Sequence, residues 1–66
     1  MIFAGQGNDI ANGDDGHDWI RGGKGNDTII AGDGNDLADG GAGNDRVDGG
    51  AGKDRLKGGL GKDLIL

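Results

Sequence analysis

The chain has 66 residues, which allows one small domain, and glycine alone supplies 18 of them. Cysteine and proline are absent, so disulfides, cysteine-ligated zinc or iron–sulfur sites and collagen are excluded. The formal net charge of -5 argues against nucleic acid as a partner, and no apolar run is long enough to predict a membrane span.

The sequence is a tandem repeat with a period of nine residues. A Gly-Asn-Asp, Gly-His-Asp or Gly-Lys-Asp tripeptide begins at every ninth residue from Gly7 to Gly61. Residues 1–3 are predicted to be the tail of a preceding unit. The seven units that follow are 4–12, 13–21, 22–30, 31–39, 40–48, 49–57 and 58–66. The nine positions of a unit are called columns one to nine below, and the period predicts a single domain over residues 4–66.

Each unit combines a glycine-rich turn with a short strand. Column four is always Gly and column six always Asp, and column two is Gly except at Asp14. Column eight is always aliphatic, so columns seven to nine fit a three-residue strand after a six-residue turn. Because alternate side chains of a strand face opposite ways, we expect column eight to point inward and columns seven and nine outward.

Two units make one coil, so strands 18 residues apart are predicted to stack in parallel. The expected fold is all-β, with two short-stranded parallel sheets enclosing one thin apolar layer. One row of that layer contains Ala11, Ile29, Val47 and Ile65, and the facing row contains Ile2, Ile20, Ala38 and Leu56. This core is too thin to offset the entropy of ordering the chain, so the fold needs another source of stability.

Metal binding between turns can supply that stability. Stacked turns lie about 4.8 Å apart and calcium binds oxygen at about 2.3–2.6 Å, so an ion between two turns reaches both. Each turn offers one carboxylate, in column six, together with carbonyls that glycine leaves accessible. Four turns on one side and three on the other enclose about five such sites.

The pattern resembles the RTX nonapeptide repeat, G-G-x-G-x-D-x-U-x with U a large aliphatic residue, also known as the hemolysin-type calcium-binding repeat. The resemblance implies a right-handed parallel β-roll, or β-helix, that binds Ca²⁺ between stacked turns. The departures are Asp14 in column two, Ala4 and Ala31 in column one, and Ala11 and Ala38 in column eight.

The resemblance also implies a ligand set. Carbonyls of columns one and three and the Asp of one turn meet carbonyls of columns two and four and the Asp of the next. The implied carboxylates are Asp9, Asp18, Asp27, Asp36, Asp45, Asp54 and Asp63. The implied backbone carbonyls are those of Gly5, Gly7, Gly16, Gly22, Gly23, Lys24, Gly25, Ala31, Gly32, Asp33, Gly34, Gly40, Gly41, Ala42, Gly43, Gly50, Gly52 and Gly59.

The function implied is a non-enzymatic calcium-binding module of a bacterial protein exported by type I secretion, which folds when calcium binds. No catalytic residues are predicted, because no nucleophile–base pair is visible. The alternative is a fragment of a secreted enzyme (protease or lipase) or of an adhesin whose active part lies elsewhere. Expected partners are calcium ions, with self-association or a neighbouring domain at uncapped ends.

Rival interpretations fit the residues less well. An EF-hand needs a glutamate at the end of its loop, and the sequence contains none. A dinucleotide-binding loop needs a third glycine, which is missing after Gly5 and Gly7. Ice binding would require a file of threonines in column three, which is absent. The single histidine, His17, lies in a variable column and is expected at the surface.

Overall fold

The computed structural model describes residues 2–66 and contains eight short strands joined by glycine-rich turns. The strands are β1 (Ile2–Phe3), β2 (Ile10–Asn12), β3 (Trp19–Arg21), β4 (Thr28–Ile30), β5 (Leu37–Asp39), β6 (Arg46–Asp48), β7 (Arg55–Lys57) and β8 (Leu64–Ile65). They form two four-stranded parallel sheets, ordered β1-β3-β5-β7 and β2-β4-β6-β8. The predicted all-β parallel solenoid is confirmed. Residues 2–66 include no helix long and apolar enough to cross a bilayer.

The strands pair in the register that the nine-residue period predicts. In one sheet Ala11 lies opposite Ile29, which lies opposite Val47, so column eight stacks on column eight. In the other sheet Ile20 lies opposite Ala38 in the same way. Every pairing joins residues 18 positions apart, which means that two units complete one coil of the solenoid.

The apolar layer contains the column-eight side chains of the inner coils. The buried apolar residues are Ala11, Ile20, Ile29, Ala31, Ala38 and Val47. Of the predicted core residues, Ile2 and Leu56 are only half-buried and Ile65 is 44% exposed, so the assignment of Ile65 to the core is wrong. These three lie in the outermost coils, where no further coil covers them within the described residues. Ala31, a column-one residue, joins the core instead.

Side chains of columns seven and nine lie on the outer faces of the two sheets. Trp19 is 51% exposed and Ile10 is 80% exposed, both in column seven. The outward direction predicted for these columns is therefore confirmed. The solenoid measures 25 × 18 × 12 Å, so the apolar layer is only one side chain deep on each side.

The turns form two stacks on opposite sides of the solenoid. The first turn stack contains turns 4–9, 22–27, 40–45 and 58–63, and the second contains turns 13–18, 31–36 and 49–54. Column-two glycines have φ from 72° to 88°, and column-four glycines from 102° to 111°. Asp14, the non-glycine residue in column two, adopts φ of 64°, a left-handed conformation that Asp tolerates better than most residues.

Candidate metal centre

The column-six aspartates of each turn stack are linked by hydrogen bonds along the solenoid. In the first turn stack, the Asp9 amide donates to Oδ1 of Asp27 at 2.9 Å, the Asp27 amide to Oδ1 of Asp45 at 2.8 Å, and the Asp45 amide to Oδ1 of Asp63 at 2.8 Å. The second stack has the same arrangement. One oxygen of each later carboxylate is therefore used to hold the preceding turn.

The other oxygen of these carboxylates has no partner. Oδ2 is buried and makes no hydrogen bond in five of the seven column-six residues: Asp9, Asp18, Asp27, Asp36 and Asp45. Three of these residues are almost completely buried: Asp27 is 2% exposed, and Asp36 and Asp45 are each 3% exposed. A buried carboxylate oxygen without a partner is costly, so each of the five positions favours a cation, a proton or a water molecule beside it.

The five positions coincide with the predicted spaces between turns. Each of these aspartates has a further turn stacked after it, whereas Asp54 and Asp63 lie in the last turn of their stacks. Three unpartnered oxygens belong to the first turn stack and two to the second. The sequence predicts three and two sites on the same sides.

Carbonyl oxygens also point into the spaces between turns. A Cβ added at Gly23 would meet the carbonyl oxygen of Gly5, and one added at Gly25 would meet that of Gly7. Carbonyls of columns two and four therefore point toward the following turn. The column-three carbonyl of Ala42 accepts a hydrogen bond from the Gly25 amide at 3.1 Å and so points toward the preceding turn.

Column-one carbonyls point toward the preceding turn as well. A Cβ added at Gly22 would lie 2.7 Å from Oδ2 of Asp27 and 2.8 Å from the carbonyl oxygen of Gly40. Carbonyls of columns two and four of one turn and carbonyls of columns one and three of the following turn thus face the same space. Two oxygens facing one small space without a hydrogen between them form an arrangement that a cation stabilises.

The space beside the column-six carboxylate explains why most units have glycine in column one. An added Cβ would approach Oδ2 of the Asp in its own turn, at 2.8 Å for Gly13 and 2.6 Å for Gly40. Ala31 carries such a Cβ, and the nearby Asp36 Oδ2 is buried and unpartnered like the others. Ala31 uses its methyl group to extend the apolar layer at the position where other units leave space beside the carboxylate.

Electrostatics in the centre of the first turn stack oppose an ionised carboxylate. Burial raises the pKa of the Asp45 carboxyl above its ordinary value of 3.8, and a hydrogen bond from the Asp27 amide offsets part of this. The carboxylates of Asp27 and Asp63 raise the pKa of Asp45 further. Neighbouring carboxylates that repel one another are the donor arrangement that a divalent cation favours.

The donors fit calcium better than a softer metal. Within residues 2–66, no three His, Cys, Asp or Glu side chains come together to hold a metal by themselves. Each space between turns instead has carboxylates from column six and carbonyl oxygens from both turns. Hard cations such as Ca²⁺ accept six to eight oxygen ligands in flexible geometry, including backbone carbonyls.

Column five, which the sequence predicts to be a variable surface column, forms a second polar ladder. The Asn26 amide donates to Oδ1 of Asn8 at 2.8 Å, and the Asn44 amide donates to Oδ1 of Asn26 at 2.8 Å. His17 is exposed, as expected, but its Nδ1 accepts a hydrogen bond from the Asn35 amide at 3.0 Å. Asparagine in four of the seven units was the signal that could have revealed this ladder.

Column nine contributes caps for the turns. Oδ1 of Asp39 accepts the Gly41 amide at 3.0 Å, and Oδ1 of Asp48 accepts the Gly50 amide at 3.0 Å. Asn12 accepts the Asp14 amide at 3.1 Å in the same way. These short polar side chains therefore fix the start of the next turn, a role typical of Asx turns.

Comparison with known proteins gives one family. A family model described as the RTX calcium-binding nonapeptide repeat (4 copies) matches residues 3–38 and residues 30–65. No curated protein and no solved structure matches the chain.

Proposed function

Since the chain belongs to the RTX calcium-binding nonapeptide repeat family, we propose that it is a calcium-triggered folding module. In this proposal, calcium ions bind between the stacked turns and supply the stability that the thin apolar layer lacks. Structural zinc sites show that metal binding can serve as the folding free energy of a small domain. The repeats themselves have a structural and not a catalytic role.

The proposed ligands follow from the direction of the oxygen atoms. Each site takes carbonyls of columns two and four from the earlier turn, carbonyls of columns one and three from the later turn, and the column-six carboxylates of both. This order is the reverse of the one that the resemblance implies. It adds five carbonyls to the expected set, those of Asp14, Gly49, Ala51, Gly58 and Leu60, and leaves out three in the last turns, those of Gly50, Gly52 and Gly59. Asp27, Asp36 and Asp45 each have a turn on both sides, so each serves two sites, and about five ions bind in all.

One observation carries the proposal. Five buried Oδ2 atoms lack a partner, and they lie in the five spaces between turns that the repeat creates. A proton on Oδ2 could donate to one of the carbonyl oxygens that face the same spaces, as at Gly22, where Gly40 and Asp27 approach together. One proton joins only two oxygens, whereas a calcium ion binds six to eight oxygens at once.

The charge balance supports a switch between two states. The calcium-free chain has a formal charge of -5, with seven carboxylates directed into the two turn stacks. Binding of about five Ca²⁺ ions would reverse the sign of the net charge. Repulsion between stacked carboxylates about 5 Å apart then opposes folding without calcium, and its removal drives folding with calcium.

We extend the proposal to the cellular setting that is typical of the family. A module that stays unfolded at low calcium suits a bacterial protein exported through type I secretion, which folds outside the cell. Extracellular calcium sites have dissociation constants of about 10⁻⁴–10⁻³ M. Sites of that strength stay empty in a low-calcium cytoplasm and fill after export.

The test is a calcium titration of the chelator-treated chain, followed by far-ultraviolet circular dichroism. Strand signal is expected to appear cooperatively with calcium, to disappear with chelator, and to respond weakly to magnesium, which demands near-ideal octahedral geometry. Full strand content before any calcium is added would refute calcium-triggered folding. A titration midpoint in the nanomolar range would refute the proposal of folding after export.

A further inference from the structure

The junction between Asn12 and Gly13 has a chemistry that no other asparagine of the chain shares. It is the single Asn-Gly pair in the sequence. The remaining asparagines each precede an aspartate: Asn8, Asn26, Asn35 and Asn44. Glycine has no Cβ, so its backbone nitrogen can approach the side-chain carbonyl carbon of the preceding asparagine more easily than that of any other residue.

We propose that Asn12 is a site of spontaneous deamidation whose rate is controlled by folding of the solenoid. The inference rests on the proposed function, because calcium is the agent that folds the chain. In the calcium-free state the Asn12–Gly13 backbone is free to react. In the folded state two hydrogen bonds hold both reacting groups.

The first hydrogen bond holds the attacking nitrogen. Gly13 follows the end of β2, and its amide donates to the carbonyl oxygen of Ile30 in the next coil at 2.8 Å. To react, this nitrogen must leave Ile30 and lose its proton. Since a folded solenoid allows this only by local opening, the rate should follow the population of the open state.

The second hydrogen bond holds the side chain that would be attacked. Oδ1 of Asn12 accepts the Asp14 amide at 3.1 Å, which holds the side chain against the turn. Asn12 is itself exposed, so water and hydroxide reach it freely. Protection of this residue therefore comes from fixed geometry and not from burial.

The reaction balances with water alone. The Gly13 nitrogen forms a bond to Cγ of Asn12, and the side-chain nitrogen leaves as ammonia with the amide proton of Gly13. Water then opens the succinimide ring at one of its two carbonyl carbons. Attack at Cγ gives aspartate at position 12, and attack at the main-chain carbonyl carbon gives isoaspartate.

The two products differ in their effect on the fold. Aspartate fits column nine, because Asp39 and Asp48 there accept the amides of Gly41 and Gly50 in the same way that Asn12 accepts the Asp14 amide. Isoaspartate instead adds a methylene group to the main chain. It would displace turn 13–18 and with it the carboxylate of Asp18, which lies in a proposed calcium site.

The experiment compares calcium-loaded and chelator-treated chain, incubated side by side at mildly alkaline pH. Circular dichroism of each sample reports folding, and peptide mapping by mass spectrometry reports amide-to-acid conversion at every asparagine. Without calcium, residue 12 is expected to convert faster than the four Asn-Asp positions, which serve as internal controls. With saturating calcium its conversion is expected to slow at least about tenfold, which corresponds to about 1.4 kcal/mol of calcium-derived protection.

The Asn12→Asp variant tests the fate of the product. It is expected to fold with the calcium midpoint of the unmodified chain, whereas material enriched in isoaspartate at position 12 is expected to need more calcium. Residue 12 could convert equally fast in a calcium-loaded sample that circular dichroism shows to be folded and in a chelator-treated sample that it shows to be unfolded. That result would overturn the deamidation inference and leave the proposed function intact. Conversion of residue 12 no faster than that of the Asn-Asp positions would overturn it as well. Absence of any calcium-induced strand signal would instead overturn the proposed function.

Discussion

Asp36 provides the sharpest test of the metal ligands. Its carboxylate is 3% exposed, Oδ1 accepts the Asp18 amide at 2.8 Å, and Oδ2 is unpartnered. Asp36→Asn retains an oxygen that can accept the Asp18 hydrogen bond but removes the charge that two ions of the second turn stack would share. Asp33→Asn is the matched control, because Asp33 is exposed in the same turn and the variant keeps its backbone carbonyl.

The magnitude follows from removing one partner of a buried charge interaction, which costs about 3–5 kcal/mol. If about five ions bind as one cooperative set, each tenfold change in free calcium changes the stability of the fold by about 7 kcal/mol. The calcium midpoint of Asp36→Asn should therefore rise about three- to fivefold. Asp33→Asn should leave the midpoint nearly unchanged, since an exposed charge contributes little.

The assay is the calcium titration followed by circular dichroism, with both variants and the unmodified chain in one buffer. A second control is Asp39→Asn, which keeps the Oδ1 acceptor for the Gly41 amide. An equal midpoint shift in Asp36→Asn and Asp33→Asn would mean that net charge alone governs the response. The assignment of column six as the ligand column would then be refuted.

Three further predictions address the turns and the calcium-free state. Gly23→Ala should raise the calcium midpoint more than Gly5→Ala, because both glycines have φ near 85–88° but only a Cβ at Gly23 would meet a backbone carbonyl. Equal midpoints would refute the idea that Gly23 is needed for the close approach of stacked turns. Asn26→Ala should lower the stability of the calcium-loaded fold by about 0.5–1.5 kcal/mol in thermal melts, since the Asn44 amide loses its acceptor, and an unchanged melt would contradict the ladder. Burial raises the pKa of Asp45, so protonation of this residue stabilises the calcium-free fold; the effect is complete below pH 3.8 and is lost as the pH rises through the raised pKa. Strand signal without calcium should therefore increase on acidification and not decrease.

The repeat made most of the fold predictable, because each structural role occupies a fixed column. Strands β2 to β7 cover columns seven to nine of their units, and the strand pairs join residues 18 positions apart. Column eight forms the apolar layer because it is the inward position of each strand. The exposure of Ile65 could not be read from its column, since it follows from the position of β8 at the end of its sheet, where no further coil of the described residues covers this large side chain.

The polar ladders were harder to predict, because a hydrogen bond to a residue 18 positions away leaves no local signature. Asn26 in isolation looks like a solvent-facing turn residue, and its role depends on the Asn44 amide lying in the next coil. The caps are different, because Asp39 and Asp48 each accept an amide only two residues further along the chain, so the Asp-Gly-Gly sequence at both places could have indicated them. Column six could be proposed as the ligand column from the sequence, because an invariant carboxylate in a glycine-rich turn has few structural uses besides binding a cation.

The two oxygens of a column-six carboxylate have different roles in the stacking of turns. Oδ1 of Asp27 and of Asp45 accepts an amide from the preceding turn, which fixes the spacing of the stack without metal. Oδ2 of the same residues faces a space that carbonyl oxygens share, and it lacks a partner. Stacking two turns therefore forms the hydrogen bond to Oδ1 and buries an Oδ2 without a partner in a single step. A turn cannot gain the hydrogen bond without the free-energy cost of the buried oxygen. In the proposed module, calcium would remove that cost only when two turns are stacked, which is why metal binding and solenoid formation are expected to be one cooperative event and not two.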